Sequence, residues 1–394
     1  MRCRHFGVCG GCSLPDRRYS DQLLWKRSRL ARLLEIDVPP VLPSPREAGF
    51  RTKIAFVFGT AARERTLVMG HYAAGSNEII PVEECPVHVD RGNRIAFALR
   101  DRLAHAGVTA ADTPDGVLRH LIIRTTENGT QAVATLVVTR NDKSLRRPVR
   151  ALLTSPDRPD GFFVNIHDKP GPYLVGRETV KIEGGDRVRE TGMREVSSRP
   201  LDFLVSPTAF FQTNVGAARE LVRLVGQGVG SAKRVLDLYC GSGLFTLPLA
   251  ADGATVIAVE EDREAIADLK VNLRLNRFRH GLVRPVCARV EDSLGRLDRD
   301  AWDAVVLDPP RDGCAPGVLR GVFERLAPAR AVYVSCNPET LARDLPIMRQ
   351  AGYRVERVQA VDMFPHTEHI ETVVVLHRRD VGFKPARSQR RIDS

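Results

Sequence analysis

The chain has 394 residues, 59 of them Lys or Arg against 48 Asp or Glu, for a formal net charge of +11 at neutral pH. At roughly 100–200 residues per domain this is two or three domains, and 43% hydrophobic with 27% charged residues excludes a chain disordered throughout. No apolar run reaches the ~18 residues a membrane span needs, and Met1-Arg2-Cys3-Arg4-His5 opens no apolar signal region, so a cytoplasmic protein is expected.

Cysteines come first along the chain. Cys3, Cys9 and Cys12 crowd the first twelve residues, and Cys85 follows in Glu83-Glu84-Cys85-Pro86. Without a signal region, disulfides are not expected. Three local thiolates and one distant one suit a four-iron cluster, with Gly10 and Gly11 letting the backbone wrap closely. Zinc also accepts four thiolates, but paired C-x2-C knuckles are its more usual spacing, and only one such pair occurs here. Residues 20–34 read as a helix in which Leu23, Leu24, Leu30 and Leu34 share a face with Arg and Lys opposite. Prolines at 39, 40, 43 and 45 break it. Residues 50–60, 66–72, 162–166 and 173–181 read as strands. Two more flank Glu127-Asn128-Gly129, a hairpin signal. This stretch is expected to be mostly β and poor in helix.

Near residue 200 the pattern changes. After a helix at 215–226, strands and helices alternate to the end of the chain, which predicts a parallel sheet with helices on both faces. Val235 to Gly243 is an apolar strand running into a Gly-containing turn. The next strand ends in Glu260, whose carboxylate can accept the two hydroxyls of a ribose. The third Gly of a dinucleotide fingerprint is missing, so a mononucleoside is expected: S-adenosylmethionine (SAM) in a class I methyltransferase fold. A later strand ends in Asp308-Pro309-Pro310-Arg311, similar to the D/N-PP motif of nucleobase methylases, with Arg311 where amino-group methylases carry an aromatic residue. The following strand ends in Ser335-Cys336-Asn337-Pro338, where a helix N-terminus lends Cys336 thiolate character. Such a cysteine is otherwise most often a buried structural residue, the reading given to Cys240, Cys287 and Cys314. Asp362 to Glu371 (DMFPHTEHIE) gathers two His and several carboxylates at the same sheet edge.

The charge is uneven. Residues 1–150 hold 24 Lys and Arg against 15 Asp and Glu, residues 151–376 hold 29 against 31, and the last 18 hold 6 against 2. A basic first third and a basic tail fit a polyanionic partner; a generically basic surface is the alternative.

Taken together, Phe211-Gln212-Thr213-Asn214, DLYCGSG, DPPR, SCNP and DMFPHTEHIE resemble the RNA uracil-C5 methyltransferase family over almost the whole chain. The resemblance implies a Rossmann-like class I SAM-dependent domain at 201–380. Before it come a β-rich, RNA-binding domain at 50–200, a cluster segment within 1–90, and, at the C-terminus, a basic tail at 381–394. It implies Cys336 as nucleophile and Glu371 as general base, and Gln212, Tyr239, Gly241, Glu260 and Asp308 around SAM. Asp308 has a second possible role, at the uracil edge. The cysteines resemble those of the branch that modifies 23S ribosomal RNA with a [4Fe-4S] cluster on Cys3, Cys9, Cys12 and Cys85. With the first ligand at position three, a preceding TRAM domain is not expected, which makes the TRAM-less RlmC type the nearest match. A transfer-RNA specificity and a catalytically silent Fe–S RNA-binding factor are the alternatives. Pro365-His366-Thr367 is expected to shape the base pocket, with His366 and His369 either functional or structural. Arg51 and Lys53 are candidate RNA contacts, or else an exposed solvated strand.

Overall fold

The computed structural model describes residues 3–14, 17–61, 66–169, 174–297 and 302–379; the basic tail expected at 381–394 lies outside them. After helix α1 (Tyr19–Leu34) the chain forms β1 (Lys53–Thr60), β2 (Leu67–Tyr72), β3 (Ile79–Pro81), α2 (Asp90–His105), β4 (Leu118–Thr125), β5 (Ala132–Val138), α3 (Arg146–Leu153), β6 (Gly161–Ile166) and β7 (Glu178–Gly184). The seven strands make one sheet in the order β3-β2-β1-β4-β5-β6-β7, antiparallel except for β5 and β6. Helices α2 and α3 were not expected, and they cover one face of this sheet. Ile95, Leu99 and Leu103 of α2 recur every four residues and pack with Val149 and Leu152 of α3 against Ile54, Phe56 and Leu121. Alternation along β1 sends Ile54, Phe56 and Phe58 to that face and Lys53 and Ala55 to the other.

A short pair, β8 (Val188–Glu190) and β9 (Phe203–Val205), leads into the second unit. There α4 (Val215–Val229), β10 (Arg234–Leu238), α5 (Thr246–Ala251), β11 (Thr255–Glu260), α6 (Arg263–Leu275), β12 (Val283–Cys287), α7 (Val290–Leu297), β13 (Ala304–Leu307), α8 (Pro316–Arg320), β14 (Arg330–Ser335), α9 (Pro338–Gln350), β15 (Tyr353–Val361) and β16 (Glu371–Arg378) follow. The sheet runs β12-β11-β10-β13-β14-β16-β15, parallel up to β14, with β16 antiparallel to both neighbours. Helices α4, α5 and α6 pack on one face and α7, α8 and α9 on the other, the Rossmann-like α/β arrangement. The strand order reverses between β10 and β13, which opens a crevice at their carboxyl ends.

Helix α1 packs on this second sheet, where Leu30 and Leu34 join a core with Leu236, Val305 and Tyr333. Its buried stripe is Gln22, Lys26, Leu30 and Leu34, spaced four apart, while Leu24 is exposed. Two polar residues thus replace two of the leucines expected on that face.

Candidate active site

The turn after β10 is unusual backbone. Tyr239, Gly241 and Gly243 all have positive φ, at 65°, 53° and 96°. A Cβ on Gly243 would lie 2.6 Å from Leu247 and Leu269, so helix packing and φ both require glycine there. Tyr239 is the strained member, a non-glycine in the left-handed region. Glu260, at the end of β11, anchors the turn. Its carboxylate accepts the Gly241 N–H at 3.0 Å and the Asp262 N–H at 2.9 Å. Each oxygen keeps a lone pair for a ligand hydroxyl.

The turn forms one wall of a cavity of about 460 Å3. Gln212, Tyr239, Gly241, Glu260, Asp308, Cys336 and Glu371 all line it. Residues scattered over 160 positions therefore meet at one sheet edge, as expected from sequence. Cys336 directly follows β14 and Glu371 opens β16; the adjoining Ser335 and Thr372 are paired across the two strands. Asn337 caps α9, accepting the Glu339 N–H and donating its amide to the Arg311 carbonyl at 3.0 Å.

The electrostatics differ from the sequence expectation. The helix end does not leave Cys336 acidic: its thiol is pushed up to about 12 by burial, then by the negative charges of Glu371 and Asp308, with Arg311 opposing. Asp308 is raised to about 8 by burial and by Asp237 and Glu260. Glu371 is held well above the ordinary carboxylate range by burial and by Asp308. Its Oε2 has no hydrogen-bond partner. Among the described lining residues Arg311 is the cation, and it contacts His369 at 3.2 Å. The exposed Phe210 also lines the cavity; it stands just outside the quoted Phe211–Asn214 motif.

Other expectations need correction. His366 is not among the residues lining the cavity, although Phe364 beside it is: it is buried at φ 67° and held by Gln22 and the Glu47 carbonyl. Arg51 and Lys53 do not form an exposed RNA-contacting strand. Both line an inner cavity, and Lys53 donates to the Thr208 carbonyl at 2.9 Å, supporting the segment before Gln212. Buried Arg124 donates to the Ala209 carbonyl beside it. Cys240 and Cys314 are buried, whereas Cys287 is exposed.

That inner cavity, about 390 Å3, is lined by Cys3, Cys9, Cys12 and Cys85, all free thiols. Gly11 N–H donates to Cys9 Sγ at 3.4 Å. A Cβ on Gly10 would meet the Tyr72 carbonyl at 2.8 Å, so only glycine lets this strap lie against the end of β2. Four thiols lining one cavity, one of them accepting an N–H, are a donor set whose chemistry fits a metal or cluster. Two histidines that sequence reasoning passed over stand behind them: ligand atoms of His71, Cys85 and His88 lie within 4.8 Å of one another.

Comparison with known proteins agrees with this geometry. Residues 174–379 match the family described as tRNA (Uracil-5-)-methyltransferase. An uncharacterised RNA methyltransferase of Geobacter sulfurreducens is 34% identical, over 96% of this chain and 77% of its own length. Another, of Gloeobacter violaceus, is 35% identical over 94% of this chain and 81% of its own. The crystal structure of Pyrococcus abyssi tRNA (uracil-54, C5)-methyltransferase with S-adenosyl-L-homocysteine superposes with a TM-score of 0.78 at 27% identity, covering 94% of this chain and 86% of that one. The chain belongs to the tRNA (uracil-5-)-methyltransferase family and is a SAM-dependent RNA methyltransferase.

Proposed function

We propose that this chain forms 5-methyluridine in 23S ribosomal RNA, with Cys336 as nucleophile and Glu371 as general base. The observation that carries the chemistry is the single cavity joining the β10 turn and Glu260 to Cys336 and Glu371. Gln212, Tyr239, Gly241, Glu260 and Asp308 would hold SAM, with Glu260 taking the ribose hydroxyls. When bound, SAM supplies an electrophilic methyl group. Uracil C5 is a weak nucleophile. Addition of the Cys336 thiolate to C6 makes it enolate-like. Once C5 is methylated, Glu371 removes its proton, the C5–C6 double bond re-forms and the thiolate leaves. Arg311 is placed to offset negative charge on the base and the thiolate. The target base must be unstacked from folded RNA to reach the cavity.

Support for the ribosomal substrate is the cysteine-lined cavity, read as a [4Fe-4S] site on Cys3, Cys9, Cys12 and Cys85, as in the branch that the sequence resembles. That group is expected to be structural, because the Cys336–Glu371 chemistry contains no redox step. A second reading, methylation of transfer RNA, is favoured by the likeness to the Pyrococcus abyssi enzyme. Mapping 5-methyluridine in both RNAs from a deletion strain decides between them. Loss from 23S RNA alone supports the proposal, and loss from transfer RNA alone overturns it.

A further inference from the structure

The loop of residues 362–370, between β15 and Glu371, has no regular secondary structure. Much of its anchorage comes from the first 47 residues of the chain. Lys26 Nζ reaches Asp362 Oδ1 at 2.6 Å and the Phe364 carbonyl at 3.0 Å. Gln22 and the Glu47 carbonyl hold His366. Arg29 donates to the Glu368 carbonyl at 3.2 Å, Asn214 Nδ2 to the Met363 carbonyl at 3.0 Å, and the Asp362 N–H to the Leu42 carbonyl. The cysteine strap adds a grip on the His366 carbonyl and the Glu368 N–H. Ser13 and Leu14 both donate backbone N–H groups to the His366 carbonyl at 2.9 Å. Ser13 Oγ accepts the Glu368 N–H at 3.0 Å. Three residues later comes Glu371, whose Oε2 has no partner inside the cavity. Its backbone pairs with Val361 at the end of β15, so the loop 362–370 joins two paired residues and sets how the chain enters β16.

The strap itself is weakly held. Between Cys3 and Leu14 the described ties to the rest of the fold are the N–H groups of Ser13 and Leu14, a bridge of Cys9 to Ala73 in which the Gly10 N–H meets the Tyr72 carbonyl, the Glu83 N–H on His5 Nε2 at 3.4 Å, and exposed ion pairs of Arg4 with Glu83 and Glu84. Ordering a dozen residues costs more than so few hydrogen bonds return. A group held by the cysteines would supply the missing tie, because Cys12 immediately precedes Ser13 and shares the inner cavity with Cys85. Cys85 is fixed in turn: Asn93 Nδ2 donates to its carbonyl at 3.0 Å. The following residues, Pro86 and Val87, accept the Gly49 and Arg51 N–H groups.

We propose that Ser13 is a positioning residue for Glu371, and that a metal group joining Cys12 to Cys85 locks the catalytic loop through it. This rests on reading the four cysteines as one metal-bound set. Loss of the group frees the strap, the strap releases the 366–368 backbone, and Glu371 loses its aim while the SAM wall, built on β10 and β11, stays in place.

The test is hydrogen–deuterium exchange on the full chain, isolated without oxygen, with iron, sulfide and zinc assayed. Removing the metal with oxidant and chelator is expected to raise exchange at 362–371 at least ten-fold and to leave β11 unchanged. With the metal retained, Ser13→Ala is expected to raise exchange at 366–371 about five-fold, the effect of losing one hydrogen bond. It should lower kcat by a similar factor without changing KM for SAM, and Ser13→Thr should restore both. Unchanged exchange at 362–371 after verified metal loss overturns the coupling and leaves the cluster reading intact. Zinc in place of iron and sulfide overturns the cluster reading, and its chelation then tests the coupling by the same exchange. A protein holding no metal there overturns both.

Discussion

Lys26 offers the sharpest energetic test of how the catalytic loop is held. Its ammonium and the Asp362 carboxylate are 2.6 Å apart, and neither side chain is exposed to solvent. Burial works against the charge on Lys26, pulling its pKa down, and Asp362 works in its favour. Lys26→Met keeps the volume of the side chain and removes the cation together with its hydrogen bond to the Phe364 carbonyl. Asp362 is then a buried carboxylate without a counter-ion, which costs about 3–5 kcal/mol. Lys26→Met/Asp362→Asn removes both charges and keeps an oxygen for the Phe364 N–H that Asp362 now accepts at 3.2 Å. It should recover most of that loss, because a neutral replacement of a buried pair is often close to neutral in stability. Urea unfolding of wild type, both single variants and the double variant gives the coupling energy, expected to exceed about 2 kcal/mol. A loss below about 1 kcal/mol in Lys26→Met, or a double variant as unstable as the single one, refutes the reasoning.

Three further outcomes follow from the same site. Glu260→Ala should weaken SAM binding at least about ten-fold by calorimetry, since it removes charge-assisted hydrogen bonds and the anchor of the Gly241 turn; unchanged affinity would place the ribose elsewhere. In the proposed mechanism both Cys336 and Glu371 act deprotonated, and burial raises the pKa of each, so single-turnover methylation should rise from pH 6 to pH 9, and a falling rate contradicts these roles. Because the folded pKa of Glu371 lies above its unfolded value, native stability is lost as pH rises beyond the ordinary glutamate range. Glu371→Gln should therefore be more stable than wild type by of order 1 kcal/mol at pH 8, with less gain at pH 5, and a less stable variant at pH 8 overturns that sign.

What could be read from sequence was what is local in sequence. The β10 turn is visible because Gly241 and Gly243 stand where a tight backbone needs them, and Cys336 and Glu371 because each ends or begins a strand at a marked motif. Helix α2 went unread although Ile95, Leu99 and Leu103 carry the period. Val89 offers no side-chain cap, and the charged residues around the apolar stripe blurred it. The inward course of Lys53 was invisible because its acceptor, the Thr208 carbonyl, lies 155 residues away. Lys26 looked like a solvated cation for the same reason, its partner being 336 residues distant. The raised thiol of Cys336 reflects burial first and then the carboxylates of Glu371 and Asp308, none of which the local sequence around a helix end reveals. The net charge of +11 gained a limit too: two of the cations in its basic first third, Arg51 and Lys53, face inward.

The central claim is covalent catalysis by Cys336 resolved by Glu371, and trapping tests it most directly. Glu371→Gln enzyme, incubated with SAM and a 23S RNA fragment carrying the target uridine, should accumulate a protein–RNA adduct that survives a denaturing gel. Adding Cys336→Ala should abolish that adduct, and Cys336→Ala alone should abolish methylation. A Cys336→Ala enzyme that forms 5-methyluridine at the wild-type rate contradicts the account.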